Sequence, residues 1–383
     1  MKAIILAGGQ GARLQPLTLD RPAALLPVAN RPLIEYLLEH LARHRVNEAT
    51  VCLHHRPDRL EAHLGDGTRW GLRLRYALER HLLGTAGAVR AVADPSTDPV
   101  VVAFATALST VDLAKARAFH QARGAALTLI VAPAAGAGEI QLDDEAKITL
   151  GHAASSVTYD FIGLGVLDPR VLSLVPAGEP CDLIGDLVPG LIAAGAAVHG
   201  YVAAEPSVLV HTPADLGLAN RSALGEALPG LVLPGFEARR GIRISRGAVV
   251  HRSARLVPPV LVGANAEIGR GASVEATVVG DDVIVGAGST IRNSVLLART
   301  YVGRGLWLDG ALVDRDRIRR AEAGTWTTVR DARLFGDTRA PLLVGQIAAM
   351  LRRRVGTRPA AGSPNGAGHA LSTERYTDAT SGV

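Results

Sequence analysis

Short apolar runs alternate with amphipathic helical patterns along the N-terminal part of the chain. The first run, residues 3–6, stops at two glycines, which is typical of a buried parallel strand that delivers its C-terminal end to a loop. Similar runs follow at residues 51–53, 72–76, 100–104 and 127–131. Helical patterns lie between them at residues 32–41, 59–64, 86–93 and 113–123. Because strands and helices alternate, the pattern predicts an α/β domain with a doubly wound sheet.

A different period begins near residue 262. Aliphatic residues recur there at steps of about six, and most of them are followed by glycine. They are Val262, Ile268, Val274, Val279, Val285, Ile291, Val302 and Leu308. In such a hexapeptide repeat each aliphatic side chain fills one corner of a triangular coil and the glycine takes the tight turn, so that neighbouring coils stack into one core. The repeat therefore predicts a parallel β-helix.

These two patterns divide the chain. They predict an α/β domain over residues 1–225, a linker over 226–240 and a β-helix over 241–318. Residues 356–383 are rich in Gly, Pro, Ser, Ala and Thr without periodicity, which predicts a disordered tail.

Helical patterns at residues 317–322 and 340–355 predict a helical cap over residues 319–355. The second segment has an apolar side and a basic C-terminal end, so it could also contact another subunit or lie on an anionic membrane surface. Covering the last coil of the β-helix is the least demanding role, because an unpaired coil end must be protected.

The composition is that of an ordinary globular protein: of 383 residues, 48% are hydrophobic and 20% are charged. The two cysteines, Cys52 and Cys181, have a spacing that supports neither a disulfide framework nor a zinc site. The N-terminal apolar run is too short for a signal peptide, and no later run reaches the length of a membrane span, so we expect a cytoplasmic protein. The net charge of +5 comes mostly from dispersed arginine, which favours solvated surface charge over nucleic-acid binding.

A glycine-rich loop follows the first predicted strand. Gly8, Gly9 and Gly11 let the backbone come close to a ligand and turn its N–H groups toward an anion. Arg13 adds a permanent cation whose planar donors suit phosphate. The Lys-Ser/Thr ending of a P-loop is missing, and Leu14 replaces the third glycine of a dinucleotide-binding fingerprint. The loop therefore predicts a site for a nucleoside triphosphate.

The stretch LAGGQGARLQPLTLDRPAALLPVANRPLIEYLLEHL, at residues 6–41, resembles the opening signature of the nucleoside-diphosphate-sugar pyrophosphorylases, or sugar-1-phosphate nucleotidyltransferases. This family makes GDP-mannose, ADP-glucose, UDP-glucose and dTDP-glucose, and the similarity covers roughly the first 225 residues. The resemblance implies a Rossmann-like nucleotidyltransferase domain. It also implies that the nucleotide lies against Leu6, Ala7, Gly8, Gly9, Gly11 and Arg13 and against the intact segment Gly84, Thr85, Ala86 and Gly87.

The hexapeptide repeats resemble the C-terminal left-handed β-helix of the mannose-1-phosphate guanylyltransferase and ADP-glucose branches of the same family. In those branches the domain serves subunit contact or regulation. We therefore expect a homo-oligomer, or a hetero-oligomer with an active paralogue, formed through the β-helix; a passive stack of coils is the alternative.

Several active-site residues that the resemblance implies are replaced. Family members attack the α-phosphate of a nucleoside triphosphate with a sugar phosphate oxygen, and they use a lysine and two magnesium-binding aspartates. The matching positions are Ala23 for the lysine and Thr106 and Leu209 for the aspartates. The Glu-Lys-Pro motif that helps hold the sugar phosphate should follow Ile148, but the chain reads TLGHA at residues 149–153.

Magnesium prefers oxygen ligands, and a threonine hydroxyl and a leucine cannot replace two carboxylates. We therefore predict no metal site and no cofactor, with Arg13 as the one residual catalytic group. Asp20, Asp112 and Asp160 are candidates for a relocated metal site, although each also suits a helix cap, a surface charge or a loop.

The histidines offer no substitute for the missing ligands. His54 and His55 are adjacent on a strand and point to opposite faces, so they cannot share one metal ion. His211 lies alone in the altered motif and is predicted to fill space there.

These observations predict a pseudoenzyme: a non-catalytic or strongly impaired homologue that binds a nucleotide or NDP-sugar as a regulatory or partner subunit. One alternative is an active nucleotidyltransferase with a rearranged metal site, which would need Mg²⁺. Another is a structural β-helix scaffold that binds no nucleotide.

Overall fold

The computed structural model describes residues 1–95, 98–134, 136–149, 157–320 and 324–339. The predictions for residues 150–153, for the helix at 340–355 and for the tail at 356–383 lie outside these ranges. The chain divides into two compact units: Met1–Ala219 with Leu228–Leu231, and Asn220–Ala227 with the residues from Val232 onward.

Where the structure describes the first unit, it contains thirteen strands: β1 (Lys2–Leu6), β2 (Pro27–Val28), β3 (Arg31–Pro32), β4 (Glu48–Leu53), β5 (Arg73–Leu78), β6 (Val100–Phe104), β7 (Ala107–Ser109), β8 (Leu127–Pro133), β9 (Ile140–Leu142), β10 (Ile148–Thr149), β11 (Thr158–Leu167), β12 (Val198–Val202) and β13 (Ser207–Leu209). The α-helices are α1 (Leu33–Arg43), α2 (Pro57–Leu64), α3 (Gly84–Val92), α4 (Leu113–Ala122), α5 (Val188–Ala193) and α6 (Pro213–Leu224).

Nine strands form one mixed sheet with β1 at its centre. Its order is β10-β9-β11-β6-β1-β4-β5, and β8 joins β11 to β12. β1 is parallel to both β4 and β6, and β4 is parallel to β5, so the C-terminal ends of these four strands meet at one edge. β11 runs antiparallel to β6. The α/β class predicted from the alternating pattern is confirmed. The antiparallel half of the sheet was not predicted.

Helices cover both faces of the sheet. The side chains of β1 alternate between the two faces and pack against different helices. Ile5 belongs to the apolar cluster that contains Ile34 and Leu38 of α1, whereas Ile4 belongs to the cluster that contains Val89 of α3. Ile5, Ile34, Leu38 and Val89 are fully buried. Burial of each large aliphatic side chain contributes about 1.5–3 kcal/mol to stability, so this layered core holds the end of β1 in a fixed place.

The described residues of the second unit form fifteen strands: β14 (Phe236–Arg239), β15 (Ile242–Ile244), β16 (Val249–Val250), β17 (Arg255–Val262), β18 (Glu267–Ile268), β19 (Ser273–Val279), β20 (Ile284–Val285), β21 (Thr290–Arg292), β22 (Val295–Leu296), β23 (Thr300–Val302), β24 (Trp307–Asp309), β25 (Ala311–Asp314), β26 (Arg317–Arg320), β27 (Trp326–Thr328) and β28 (Phe335–Asp337). β14 lies within the predicted linker and pairs with β15.

The strands of successive coils pair in parallel, so this unit is the β-helix that the repeat predicted. Val262 pairs with Val279, and Val279 pairs with Leu296, so one coil takes three hexapeptides. The aliphatic residues of the repeat are all buried in one core cluster. Glycine is needed in the repeat for close stacking as well as for turns: a Cβ atom at Gly286 would lie 2.5 Å from the carbonyl carbon of Gly303 in the next coil.

The last coil ends in antiparallel strands. β26 pairs with β25 and β27, and β28 pairs with β23. The helix predicted at residues 317–322 is therefore wrong for residues 317–320, and the described part of the predicted helical cap contains strands instead. The last coil presents unpaired N–H and C=O groups, and strand pairing satisfies them directly, whereas a helix cannot. Ile318 also packs against the core of the β-helix.

No helix in the described part of the chain is long and apolar enough to cross a membrane.

Candidate functional site

The glycine-rich loop lies where the C-terminal ends of the parallel strands meet. The amide of Ala7 donates to the carbonyl oxygen of Cys52 at the end of β4, at 3.1 Å. The amide of Ala105, after β6, donates to the carbonyl oxygen of Leu6 at 3.0 Å. Ligands bind at this edge of open α/β sheets, because the loops diverge there and leave a crevice.

Gly11 turns the loop back toward the body of the unit. Its φ of 62° is in the left-handed region, and its carbonyl oxygen accepts a hydrogen bond from the hydroxyl of Thr18 at 2.8 Å. A Cβ atom at Gly11 would lie 2.8 Å from Cγ2 of Thr18, so the close packing requires glycine. Gly9, in contrast, has no atom within 4 Å of its Cβ position, which leaves space for a ligand beside it.

Arg13 lies in a short 3₁₀ turn (Ala12–Leu14) directly after this bend. Its side chain is exposed, and its guanidinium forms no hydrogen bond or ion pair with the part of the chain that the structure describes. The predicted cation of the site is therefore available to a ligand.

Glu79 was not predicted as part of this site. Its Oε1 lies 3.1 Å from the Cβ position of Gly8, and its Oε2 accepts a hydrogen bond from the amide of Leu83 at 3.2 Å. Its carbonyl oxygen bonds Nδ1 of His54 at 2.9 Å. Glu79 thus links the glycine loop to the residue that precedes α3 and places a carboxylate beside Gly8.

The intact segment at the start of α3 packs against residues 181–183. The amides of Ala86 and Gly87 donate to the carbonyl oxygen of Cys181 at 2.9 and 3.2 Å. Gly84 has a φ of 70°, and a Cβ atom there would lie 2.5 Å from the same oxygen. The hydroxyl of Thr85 donates to Asp182 at 2.8 Å. These four residues thus have a packing role that the sequence pattern did not predict.

The three replaced positions lie close to the glycine loop or to each other. Cβ of Ala23 is 3.4 Å from the Cβ position of Gly11, so the lysine position borders the loop. The carbonyl oxygen of Thr106 accepts a hydrogen bond from the amide of Val210 at 3.1 Å, and Leu209 pairs with Ala107 between β13 and β7. The two positions at which the resemblance implies aspartates are therefore neighbours here.

The surroundings of Leu209 are apolar. Cδ1 of Leu209 lies 2.8 Å from the Cβ position of Gly163, and Cβ of Phe104 lies 3.3 Å from it. Phe104 also meets Phe161 edge to face, with ring centres 5.4 Å apart. Thr106 offers a hydroxyl and Leu209 offers no oxygen, so these side chains do not fit the oxygen ligand set that Mg²⁺ needs.

His211 lies beside Phe104 in the altered motif. Its ring centre is 6.4 Å from that of Phe104. The pKa of His211 is lowered, mainly because its ring loses part of its hydration; the positive charge of Arg13 adds to this effect, and the carboxylate of Asp215 opposes it.

The carboxylates proposed for a relocated metal site have other roles or neighbours. Asp112 caps α4 by accepting from the amides of Ala114 and Lys115 at 2.9 and 3.2 Å. Asp20 pairs with Arg21 at 3.3 Å. Burial raises the pKa of Glu139, and the negative charge of Asp160 raises it further. In residues 1–95, 98–134, 136–149, 157–320 and 324–339 no group of three or more His, Cys, Asp or Glu side chains could hold a metal ion.

His54 and His55 follow the end of β4 and do not lie on a strand, so that part of the prediction is wrong. They bond to different partners. His54 bonds to Glu79, whereas Nε2 of His55 bonds to the carbonyl oxygen of Thr18 at 3.0 Å.

A glycine loop at the C-terminal ends of the parallel strands of a mixed sheet, with a hexapeptide β-helix in the same chain, defines a two-domain protein of the nucleotidyltransferase class. Residues 2–149 match the family model for nucleotidyl transferases, and residues 261–324 match the model for a GlmU-like C-terminal hexapeptide domain. The chain belongs to the sugar-1-phosphate nucleotidyltransferase family, because it also matches full-length relatives.

One relative is the mannose-1-phosphate guanylyltransferase of Mycobacterium tuberculosis, 31% identical over 298 residues that cover 76% of this chain and 82% of the relative. Another is the UTP–glucose-1-phosphate uridylyltransferase of Synechocystis sp., 27% identical over 337 residues that cover 82% of this chain and 87% of the relative. A solved structure of HddC from Yersinia pseudotuberculosis, complexed with GMP-PN, has the same fold with a TM-score of 0.51 and 17% identity; the match covers 58% of this chain and 99% of that chain.

Proposed function

We propose that this protein is a non-catalytic or strongly impaired sugar-1-phosphate nucleotidyltransferase that binds a nucleotide or NDP-sugar as a regulatory or partner subunit. The observation that carries the proposal is the set of side chains at three positions. Ala23 borders the glycine loop, and Thr106 and Leu209 lie side by side, at the places where the family resemblance implies a lysine and two metal-binding aspartates.

These replacements remove the charges that the reaction needs. Transfer to the α-phosphate develops negative charge, and positioning together with charge neutralisation supplies most of the catalysis. Loss of metal stabilisation by roughly 4 kcal/mol already corresponds to about a thousandfold in rate. Arg13 is the residual cation, and one guanidinium cannot neutralise a triphosphate and its leaving group alone.

The features that favour binding are retained. Gly9 has open space beside it, Gly11 keeps the bend of the loop, and the guanidinium of Arg13 is free of partners in the described ranges. The β-helix offers the surface through which a homo-oligomer or a hetero-oligomer with an active paralogue would form. A role in supporting such a paralogue fits a subunit that binds the ligand without converting it.

The active enzyme is the second candidate, and one observation favours it: the relatives are named as uridylyltransferase and guanylyltransferase. In that case Mg²⁺ would need ligands other than Thr106 and Leu209, such as the carboxylate of Asp160. A β-helix scaffold that binds no nucleotide is the third candidate.

One pair of measurements separates the three. The full chain is assayed for magnesium-dependent pyrophosphate release from four nucleoside triphosphates with mannose, glucose or galactose 1-phosphate, and the same nucleotides and their NDP-sugars are titrated by calorimetry. We expect binding without turnover, and loss of binding in Arg13→Ala. Sustained pyrophosphate release would establish the active enzyme, and the absence of both activities would leave the scaffold.

A further inference from the structure

We propose that His55 and Arg56 are positioning residues that keep the glycine loop in the shape required for nucleotide binding, and that they act on the loop through Thr18. The inference rests on the proposed function, because it concerns how that site is kept ready for its ligand. It assigns a role to two residues that lie outside the glycine-rich motif.

Thr18 directly supports the bend of the loop at Gly11. Its hydroxyl donates to the carbonyl oxygen of Gly11 at 2.8 Å, and its Cγ2 lies 2.8 Å from the Cβ position of Gly11. Thr18 is 1% exposed, so water does not compete for this hydrogen bond. The amide of Leu14 donates to the same carbonyl oxygen at 2.9 Å. A displacement of Thr18 would therefore change both the bend and the turn that follows it.

Two side chains that follow β4 hold the backbone of this supporting segment. Nε2 of His55 lies 3.0 Å from the carbonyl oxygen of Thr18, and this nitrogen carries the proton because a carbonyl can only accept. Nη2 of Arg56 donates to the carbonyl oxygen of Leu19 at 3.2 Å. The two side chains thus bind consecutive carbonyl groups of a segment that lies 37 residues earlier in the chain.

Both donors are attached to the central sheet. They come soon after β4, and the carbonyl oxygen of Cys52 in that strand accepts from the amide of Ala7 at 3.1 Å. The end of β4 therefore holds the glycine loop at its start through Ala7 and at its bend through Thr18. The loop keeps one shape only while both connections are made.

The backbone of Arg56 is in an unfavourable conformation. Its φ of 50° and ψ of 50° lie in the left-handed region, directly before Pro57 at the start of α2. This conformation costs free energy for a residue with a Cβ atom, whereas glycine adopts it without that cost. An arginine at this position thus lowers stability while it contacts the segment that supports the loop, a combination that is typical of functional sites.

Arg56→Gly separates a positioning role from a purely structural one. Glycine relieves the left-handed strain but removes the hydrogen bond to Leu19, so we expect an unchanged or higher urea midpoint together with an affinity about tenfold weaker. Arg45→Gly is the matched control. Arg45 is exposed, has a φ of 59°, and its side chain has no hydrogen bond or ion pair within the described ranges. This control should leave binding unchanged.

A second pair of variants tests His55. His55→Ala removes the donor to the Thr18 carbonyl, and we expect it to weaken binding about tenfold. His55→Gln retains an N–H donor on a side chain of similar length, so it should restore most of the affinity. Circular dichroism verifies that each variant is folded.

The test combines a measurement with ligand and one without. The full chain and its variants are titrated by calorimetry with ATP, GTP, UTP and dTTP and with ADP-glucose, GDP-mannose, UDP-glucose and dTDP-glucose. Hydrogen–deuterium exchange of residues 8–15 is followed by mass spectrometry in the free protein. We expect exchange there to be about tenfold faster in His55→Ala and Arg56→Gly and unchanged in Arg45→Gly.

The outcomes distinguish this inference from the function on which it rests. Exchange that stays the same in both His55→Ala and Arg56→Gly would show that these residues do not hold the loop. Faster exchange with unchanged affinity would overturn their role in binding and leave the proposed function in place. If no probe binds the unmodified protein, the proposed function fails and the role in binding fails with it, whereas the exchange rates, which need no ligand, decide separately whether the two residues hold the loop.

Discussion

The amide of Val210 donates a hydrogen bond to the carbonyl oxygen of Thr106 at 3.1 Å. This bond continues the pairing of β13 with β7 and places Leu209 beside the end of β6. At the two positions where the family resemblance implies metal-binding carboxylates, this part of the backbone carries a hydroxyl and an isobutyl group.

This assignment can be tested by restoring the carboxylates. Thr106→Asp with Leu209→Asp should create an oxygen site for a divalent ion, because the two positions are adjacent in space. We expect Mn²⁺ binding, measured by electron paramagnetic resonance, to be stronger than in either single variant and stronger than in the unmodified protein. A folded double variant that binds Mn²⁺ no better than the unmodified chain would contradict the assignment of these positions.

Gly84 should be essential for the packing of α3. Gly84→Ala introduces a Cβ atom 2.5 Å from the carbonyl oxygen of Cys181 at a φ of 70°, so we expect a loss of roughly 2–4 kcal/mol in the free energy of unfolding. Gly190→Ala in α5 is the matched control, since no atom lies within 4 Å of its Cβ position. It should leave stability unchanged or raise it by about 0.5–1 kcal/mol. Denaturant unfolding measures both, and equal effects would refute the packing argument.

Glu35 on α1 is the centre of an ion-pair network. Its carboxylate accepts from Arg31 at 3.0 Å, from His63 at 2.8 Å and from Arg69 at 2.7 Å. Burial acts to raise its pKa, but these hydrogen bonds and charges outweigh burial and lower the pKa from 4.5 to about 2. The stabilisation is therefore present above pH 4.5 and is lost as the pH falls toward 2.

Glu35→Gln should reduce the free energy of unfolding by about 1–3 kcal/mol at neutral pH and by less near pH 3. Glu61→Gln, at an exposed position on α2, is the control and should cost little. Urea denaturation at both pH values measures the difference; a cost for Glu35→Gln that does not shrink in acid would count against the network.

His40 should make the protein sensitive to acid. It is 3% exposed on α1, and burial, with smaller contributions from His44 and Arg43, lowers its pKa from 6.5 to about 3. The folded state therefore holds His40 neutral, and its stability is complete above pH 6.5 and falls as the pH drops toward 3.

His40→Leu should flatten this part of the pH profile, because the buried side chain no longer needs to stay unprotonated. At about pH 5 we expect the variant to lose about 1–2 kcal/mol less stability, relative to neutral pH, than the unmodified protein. The same substitution at the exposed His81 should leave the profile unchanged. Identical acid profiles for the His40 variant and the unmodified chain would disprove the buried-histidine explanation.

Local patterns predicted the architecture of both units. The apolar run at residues 3–6 became β1, with Ile5 fully buried, and the hexapeptide positions such as Val262 and Val279 stack directly on each other. Such patterns can be read from the sequence because strand, helix and coil periods repeat over a few residues, and the same period sets which side chains are buried.

The cap of the β-helix shows where a local pattern fails. Residues 317–320 have a helical pattern, but they form β26 because the last coil offers an unpaired edge. Tertiary pairing outweighed intrinsic preference there, as it commonly does in strands.

The sequence by itself determined the class of fold, the glycine loop with Arg13 and the identity of the side chains at Ala23, Thr106 and Leu209, since residue type and spacing are properties of the chain. Only the tertiary structure decided that Glu79 lies beside Gly8 and that Thr106 adjoins Leu209. These relationships join segments far apart along the chain, and they arise from the pairing of strands and the packing of loops at one sheet edge, which no local period encodes.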